Sequence, residues 1–406
     1  MAITAVITPT SPSLAYRPIK FQLDSDDATI VNLIIEVLIS TDGGVSGTRV
    51  SATNVSPDLG TTDEFTFDIQ AIVQKHISFQ LKTLGASAVI NDIDNVQVRI
   101  KAYEQVLTAG VLVTSYDPDD ADNSNFDYLS GSFACFNWRE SHLSLATFDQ
   151  NDYALTTSSK KFLSESPLTK DIELEQDEFL GMGWGVSSGI IKNYLINILT
   201  YDSVNSLLNT DTLTVAEWNL ATVSNLTDPY LDVPVGTANI LAMGVSLTNV
   251  AKYTIKLVND DGVKSELRTY NIFDSCSTDL RIHFINKFGK QDSITLKGNQ
   301  TESIDYKSIN YTKALSETYS TRDYGQAIIQ NTVETSYTAY SKSIGRSVLD
   351  FANSMLITKI AWMEVGGEYY SIVIESGSKV VRNEDNTPIQ FRLDFSLANV
   401  QKGHIG

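Results

Sequence analysis

The sequence predicts a mainly β protein: several β-sandwich-like domains with a few short helices and extended arms. Two features of pattern and one of composition point there. Apolar and polar residues alternate over short runs, and clusters of Gly, Asp, Asn and Pro bound those runs. Of the 406 residues 42% are hydrophobic and only 19% charged, enough apolar material for real cores and too little charge for a disordered chain. Alternation with period two lays one apolar face of a pleated strand against a core. The length allows about two to four domains at ~100–200 residues each.

Residues 1–115 are expected to form an N-terminal sandwich with one short helix. Ile19, Phe21 and Leu23 alternate in the first run, then Val31, Leu33, Ile35, Val37 and Ile39, closed by the turn chemistry of Thr41-Asp42-Gly43-Gly44. Val96, Val98, Ile100 and Ala102 alternate again, followed by Val106–Val113. Between them Asp68 is placed to cap a helix over Ile69–Phe79, with Ile69, Ile72, Val73, His76 and Ile77 on one face. Tyr116–Asn125, polar and acidic, reads as a linker or exposed loop. A central β domain follows over 126–298. It contains the β-prone run Ile190–Leu199, a hairpin of Tyr253–Val258 and Glu266–Phe273 about Asp260-Asp261-Gly262, and a second of Arg281–Ile285 and Ser293–Leu296 about Phe288-Gly289. The last domain, 299–406, opens with a polar arm, Asn299–Tyr340, that suits either a solvated two-sided sheet or a segment ordered by a neighbour. A helix over Ser347–Leu356 and strands at Lys359–Val365, Tyr369–Glu375 and Gln390–Leu397 complete a small α+β domain, with Phe391, Leu393 and Phe395 facing one way.

Charge narrows the function classes. There are 49 acids against 30 bases, a net of −19, and a field of that sign repels phosphate backbones, so no direct nucleic-acid partner is expected. Solubility explains the charge, and packing beside basic partners is the sharper reading. The Met1–Ser13 stretch has neither a basic nor a long apolar segment, and Ile30–Ile39 is broken by Asn32 and Glu36, so neither a signal peptide nor a membrane partner is expected and synthesis is placed in the cytoplasm. Cys135 and Cys276 read as reduced core residues, with one long-range bridge as the alternative.

No motif carries catalysis. Gly185-Val186-Ser187-Ser188-Gly189 has the letters of a nucleophile elbow, but that turn needs a strand before the serine and a helix after it. Here the glycines Gly181 and Gly183 precede it and a β-prone run follows, which a Gly-rich hairpin explains; their spacing also misses the dinucleotide pattern, Val186 standing where a glycine is needed. The histidines His76, His142, His283 and His404 show no metal-ligand spacing, and His76 and His283 read as packing or surface residues. Asp117, Asp119, Asp120, Asp122 and Asn123 fail the EF-hand template and read as a solvated acidic loop, with an adventitious structural cation as the alternative. No enzyme activity, cofactor or metal is expected. Interface residues are expected instead at Tyr306, Tyr311, Tyr319, Tyr324, Tyr337 and Tyr340, because tyrosine offers rigid contact area with a polar tip and the surrounding arm has too few aliphatics for its own core.

Several short motifs, in order, resemble a virion protein of tailed phages that infect Bacteroidetes, the crAss-like group included. Ala15-Tyr16-Arg17-Pro18-Ile19-Lys20-Phe21 resembles the opening strand, and Phe67-Asp68-Ile69 with Ile72-Val73 the start of a helix. Pro234-Val235-Gly236, Tyr253–Leu257 and Ser265-Glu266 follow in the expected order. Arg281–Gly289 with Asp292-Ser293 is the strongest match, and Val348–Leu356 is similar to the closing helix. The resemblance implies a structural subunit of the virion: a homo-oligomeric ring, collar or tail component at the head–tail axis, touching copies of itself and neighbouring virion proteins. A receptor- or glycan-binding adhesin module of the particle is the alternative. No functional residue is carried over from the family. Gly289 and Asp292 have their own explanation, one easing a tight turn and the other bonding its backbone.

Overall fold

A computed structural model of the chain describes residues 3–9, 13–15, 17–27, 29–40, 47–61, 63–77, 79, 81–82, 89–91, 95–114, 127–130, 133–136, 160–183, 192–218, 230–259, 262–273, 279–312, 314, 317–318, 320, 326–342, 346–358, 360–375, 379–381, 390–398 and 402–403. Among the described residues the protein is mainly β, with 61% strand against 8% helix. It divides into two compact units, one of residues 1–164, 175–269 and 287–290, the other of 165–174, 270–286 and 291–406. This grouping cuts the chain differently from the expected 1–115, 126–298 and 299–406. The strand Leu280–Ile285 pairs with Ala361–Val365, so Ile282 and Phe284 are spent on the C-terminal core. The acidic segment 116–125 lies outside the described residues, as does the turn 41–44.

In the first unit, strands Ile3–Ile7, Lys20–Ser25 and Glu64–Asp68 form one antiparallel sheet. A second runs through Ser13–Leu14, Phe133–Phe136, Asn95–Thr108, Ile30–Ser40 and Thr48–Val55. Both sheets feed one core: Phe21, Leu23 and Phe65 from the first meet Leu33, Ile35, Val37, Val96, Val98 and Ile100 from the second. The sandwich is thus the direct result of the alternation read above. Glu36 lies on the opposite face of its strand from that core, is buried there, and accepts hydrogen bonds from Arg49 Nη1 at 2.7 Å and Tyr103 Oη at 2.9 Å. The helix spans Gln70–His76, shorter than expected, because Ile77 is already extended (ψ 119°). Asp68 holds its start, Oδ1 accepting from Gln70 N at 2.8 Å and Ile19 N at 3.0 Å. Val73 is buried, whereas His76 is exposed.

The same unit has a sheet in which Lys192–Tyr201 lies between Leu207–Trp218 and Lys252–Asn259, all antiparallel, and Ile196, Ile198, Ile255 and Leu257 are buried there. A small sheet joins Phe179–Gly183, Tyr230–Pro234 and Val89–Asn91.

The second unit is built on one antiparallel sheet, in the order Gln291–Leu296, Leu280–Ile285, Ala361–Val365, Glu368–Ile374, Gln390–Leu397, Gln326–Tyr340 and Gln300–Thr312. The helix Arg346–Leu356 packs on it through Phe351, Ala352 and Met355, with the Phe351 and Phe284 rings 5.4 Å apart. Phe391, Leu393 and Phe395 are fully buried, as their alternation requires. Gly289, between the first two strands of that order, has φ +72°, a conformation that costs a residue with a Cβ. Asp292 Oδ2 accepts from the side chain of Asn286 at 2.7 Å and from the backbone N–H of Glu165 at 3.4 Å, a wider role than bonding its own turn.

Candidate interaction surface

The polar segment after Asn299 folds as a long antiparallel hairpin, Gln300–Thr312 against Gln326–Tyr340, which resolves the two expectations for it in favour of a two-sided sheet. Thr, Ser, Tyr and Ile suit a pleated strand even when no core backs it. The base is anchored where Ser336–Tyr340 pair with Arg392–Ser396 and Ala339 reaches the core, and further out Asn331 and Thr332 of the inner strand pair with Gly403 and Lys402. Every described side chain from Gln300 to Thr312 is exposed, on both faces, and this strand ends the sheet.

The six tyrosines have different fates. Tyr337 stacks on its cross-strand partner Phe395, ring centroids 5.1 Å apart at 13°, and donates its hydroxyl to Glu302 Oε1 at 3.3 Å. Burial and then the Glu302 carboxylate raise its phenol pKa. It therefore serves the sheet of its own chain. Tyr340 is half-buried at the base, where its backbone exchanges hydrogen bonds with Gly298 N at 2.8 Å and Asn299 O at 3.0 Å. Tyr311 is 46% exposed and is the one available for contact among those whose side chains are described. Tyr306 lies on the outer strand with its side chain outside the described set, and Tyr319 and Tyr324 lie outside the described residues.

Beside Tyr311, the exposed apolar side chains described on the hairpin are three isoleucines with no place among the expected interface residues. Ile309 and Tyr311 share one face of the outer strand. Ile304 is on the other face, with Ile328, which pairs with Asn310. They are 57%, 46%, 48% and 58% exposed. Single exposed aliphatics are ordinary, but three on one terminal hairpin, together with Tyr311, put apolar contact area on both of its faces.

Two buried charge clusters lie elsewhere. In the first unit Asp232 accepts Lys82 Nζ at 2.9 Å and Lys290 Nζ at 3.4 Å, with all three side chains nearly inaccessible. Gly181, the strand partner of Asp232, makes the room: a Cβ there would sit 2.5 Å from Lys290 Cγ. Desolvation pulls the Asp232 pKa up, but the two ammonium groups outweigh it and hold the carboxyl below its ordinary range. In the second unit Arg281 bridges Glu173 at 2.7 Å and Glu364 at 2.9 Å, and Glu364 Oε2 also meets His283 Nε2 at 2.7 Å. Gln291 Nε2 meets His283 Nδ1 at 3.1 Å, and the Tyr369 ring stands edge-on 5.2 Å from the imidazole. A neutral ring with its proton on Nε2, donating to Glu364 and accepting from the Gln291 amide, satisfies both nitrogens. Desolvation, greater than the opposing pull of Glu364, lowers the His283 pKa. With the ring buried and both nitrogens taken, this histidine packs and braces.

Cys135 is a free, buried thiol whose pKa burial raises to about 12, so it is unreactive at neutral pH. Cys276, His142, His404 and the Gly185–Gly189 motif lie outside the described residues. No group of three or more His, Cys, Asp or Glu converges as a metal site among the described residues, and none of their helices is long and apolar enough to cross a membrane. The chain matches no protein-family model, and no curated protein sequence matches it.

Proposed function

We propose that this chain is a non-enzymatic structural subunit of a phage virion, a homo-oligomeric ring, collar or tail component at the head–tail axis. The observation that carries the self-assembly is the outer strand Gln300–Thr312: 13 residues, its described side chains exposed on both faces, with no strand paired to its outer edge among the described residues. At ~3.3 Å per residue such an edge runs about 40 Å. Soluble proteins blunt long open edges, and a symmetric ring of copies removes them by pairing or covering each one with the next subunit. The virion setting rests on the ordered sequence motifs and on the acidic, DNA-repelling surface charge.

The test is the native mass of the full chain by light scattering, with particle imaging of the same sample. A closed cyclic assembly is the expected result. A chain that stays monomeric at high concentration overturns the proposal, and a monomer that binds glycan points to the adhesin alternative.

A further inference from the structure

A ring that closes head to tail joins two different patches of the chain, and the hairpin after Asn299 supplies only one of them. The first unit holds a second candidate. Strand Asn95–Thr108 turns at Ala109 and Gly110, both with positive φ (52° and 81°), and returns as Val111–Thr114, with Leu107 opposite Leu112 and Thr108 opposite Val111. Two-residue turns of that hand match the twist of their strands, so the tip is a preformed body. Val106 packs against the sandwich core, and alternation sets Leu107 and Leu112 on the opposite face. Leu107, Val111, Leu112 and Val113 are each about half exposed, and no other seven-residue stretch among the described residues exposes as many large apolar side chains.

Charge decides what can cover them. From Gln105 to Thr114 no residue is charged, in a chain of net charge −19. At physiological salt the Debye length is ~8 Å, so two copies feel chiefly the charges inside their contact. Repulsion and desolvation are least where neither side brings any. The end of the outer hairpin meets that condition: Ile309–Thr312, paired with Gln326–Gln330, is uncharged on both strands and exposes Ile309, Tyr311 and Ile328. The exposed group Val204, Leu207 and Leu208 does not, lying between Asp202 and Asp211, nor does the group Val365, Tyr370 and Val373 beside Glu364 and Glu368.

We propose that the hairpin Gln105–Thr114 of one copy docks on the uncharged end of the outer hairpin, Ile309–Thr312 with Gln326–Gln330, of a second copy. The contact rests on the self-assembly proposed above and supplies its partner surface. The test follows the native mass of the full chain by light scattering over a concentration series, for the unaltered chain, Leu112→Glu, Ile309→Lys and the double variant. Each single replacement sets an unpaired charge in an apolar contact and is expected to raise the concentration needed for assembly about tenfold or more, the size of a ~1.4 kcal/mol loss. The double variant brings opposite charges together and should assemble better than either single one. Melting temperatures should not move, because both side chains are exposed; if Leu112→Glu lowers its own, the uncharged Leu112→Ser takes its place, with a smaller expected shift in assembly. A chain that is monomeric without any replacement overturns the assembly and this contact together. An unaltered chain that assembles, with Leu112→Glu and Leu112→Ser assembling equally well, overturns this contact alone, as does a double variant no better than the worse single one. Loss of binding to phosphatidylcholine vesicles in Leu112→Glu, with the native mass unchanged, would give the hairpin to a lipid surface instead.

Discussion

The strands Ile30–Ser40 and Gln300–Thr312 are similar in length, 11 and 13 residues, and both pair antiparallel with their neighbours. The first is hydrogen-bonded along both edges, and every side chain from Leu33 to Ser40 is buried, the Glu36 carboxylate included. Among the described residues the second is bonded along one edge, and its described side chains are exposed on both faces. Ordering a residue costs roughly 1–2 kcal/mol of backbone entropy, which burial offsets in the first strand and not in the second. Buried strands therefore fix the fold, while the terminal hairpin depends on its ladder and, in the proposed assembly, on a neighbouring copy.

If that division holds, replacements inside the buried regions should cost far more than any on the hairpin. The largest loss is expected for Asp232→Ala, which leaves the Lys82 and Lys290 ammonium groups buried without their shared carboxylate. Breaking a buried ion pair from one side costs about 3–5 kcal/mol, read as a fall in the urea midpoint. A loss under ~0.5 kcal/mol would mean that water reaches this cluster in solution. Ile35→Ala, at a fully buried position of the compared strand, should cost about 2–5 kcal/mol by the same measurement.

Acid should come next and act on the second unit. The folded pKa of His283 lies below its ordinary 6.5, first through desolvation and then through the positive charges of Arg281 and Lys170, which together exceed the pull of Glu364. Unfolding then takes up a proton, so stability is full above pH 6.5 and falls as the pH drops toward the lowered folded value. Glu364 acts in the same direction at lower pH. Desolvation raises its pKa, but His283 and Arg281 outweigh that and hold it below 4.5, so stability is lost as the pH falls through the folded value. His283→Gln should remove the upper part of this decline and keep the lower part. An unchanged profile between about pH 7 and 5 would contradict the desolvated imidazole.

The two compared regions also differ in how far the sequence disclosed them. Where one face is buried, alternation was enough: Val96, Val98, Ile100 and Ala102, and again Phe391, Leu393 and Phe395, are all fully buried. The closing helix, Arg346–Leu356, begins one residue before its expected start. Buried charge was not legible. Glu36 reads as an interruption of an apolar run, yet Arg49 and Tyr103 satisfy it where it is buried on the strand face away from the sandwich core. Lys82, Asp232 and Lys290 are separated by 150 and 58 residues, and no local pattern relates them. On the hairpin, the tyrosines were conspicuous as letters, but their roles depend on register. Tyr337 falls opposite Phe395 and is drawn into its own sheet, while Ile304, Ile309 and Ile328 are left outside.

The smallest effect on the isolated chain, and the most telling for the comparison, is expected for the double replacement Ile309→Ser with Ile328→Ser. These residues lie on opposite faces of the hairpin and are 57% and 58% exposed, so little burial is lost within the chain. Exposed substitutions away from caps, cores and networks usually stay within about ±0.5 kcal/mol, and the urea midpoint should move no further than that. Association should respond differently. If a neighbouring copy covers both faces, each serine puts a hydroxyl where an aliphatic was buried, and the native mass by light scattering should shift toward smaller species at equal concentration. A variant that loses stability without losing assembly would assign the hairpin to its own fold and send the search for the subunit interface elsewhere.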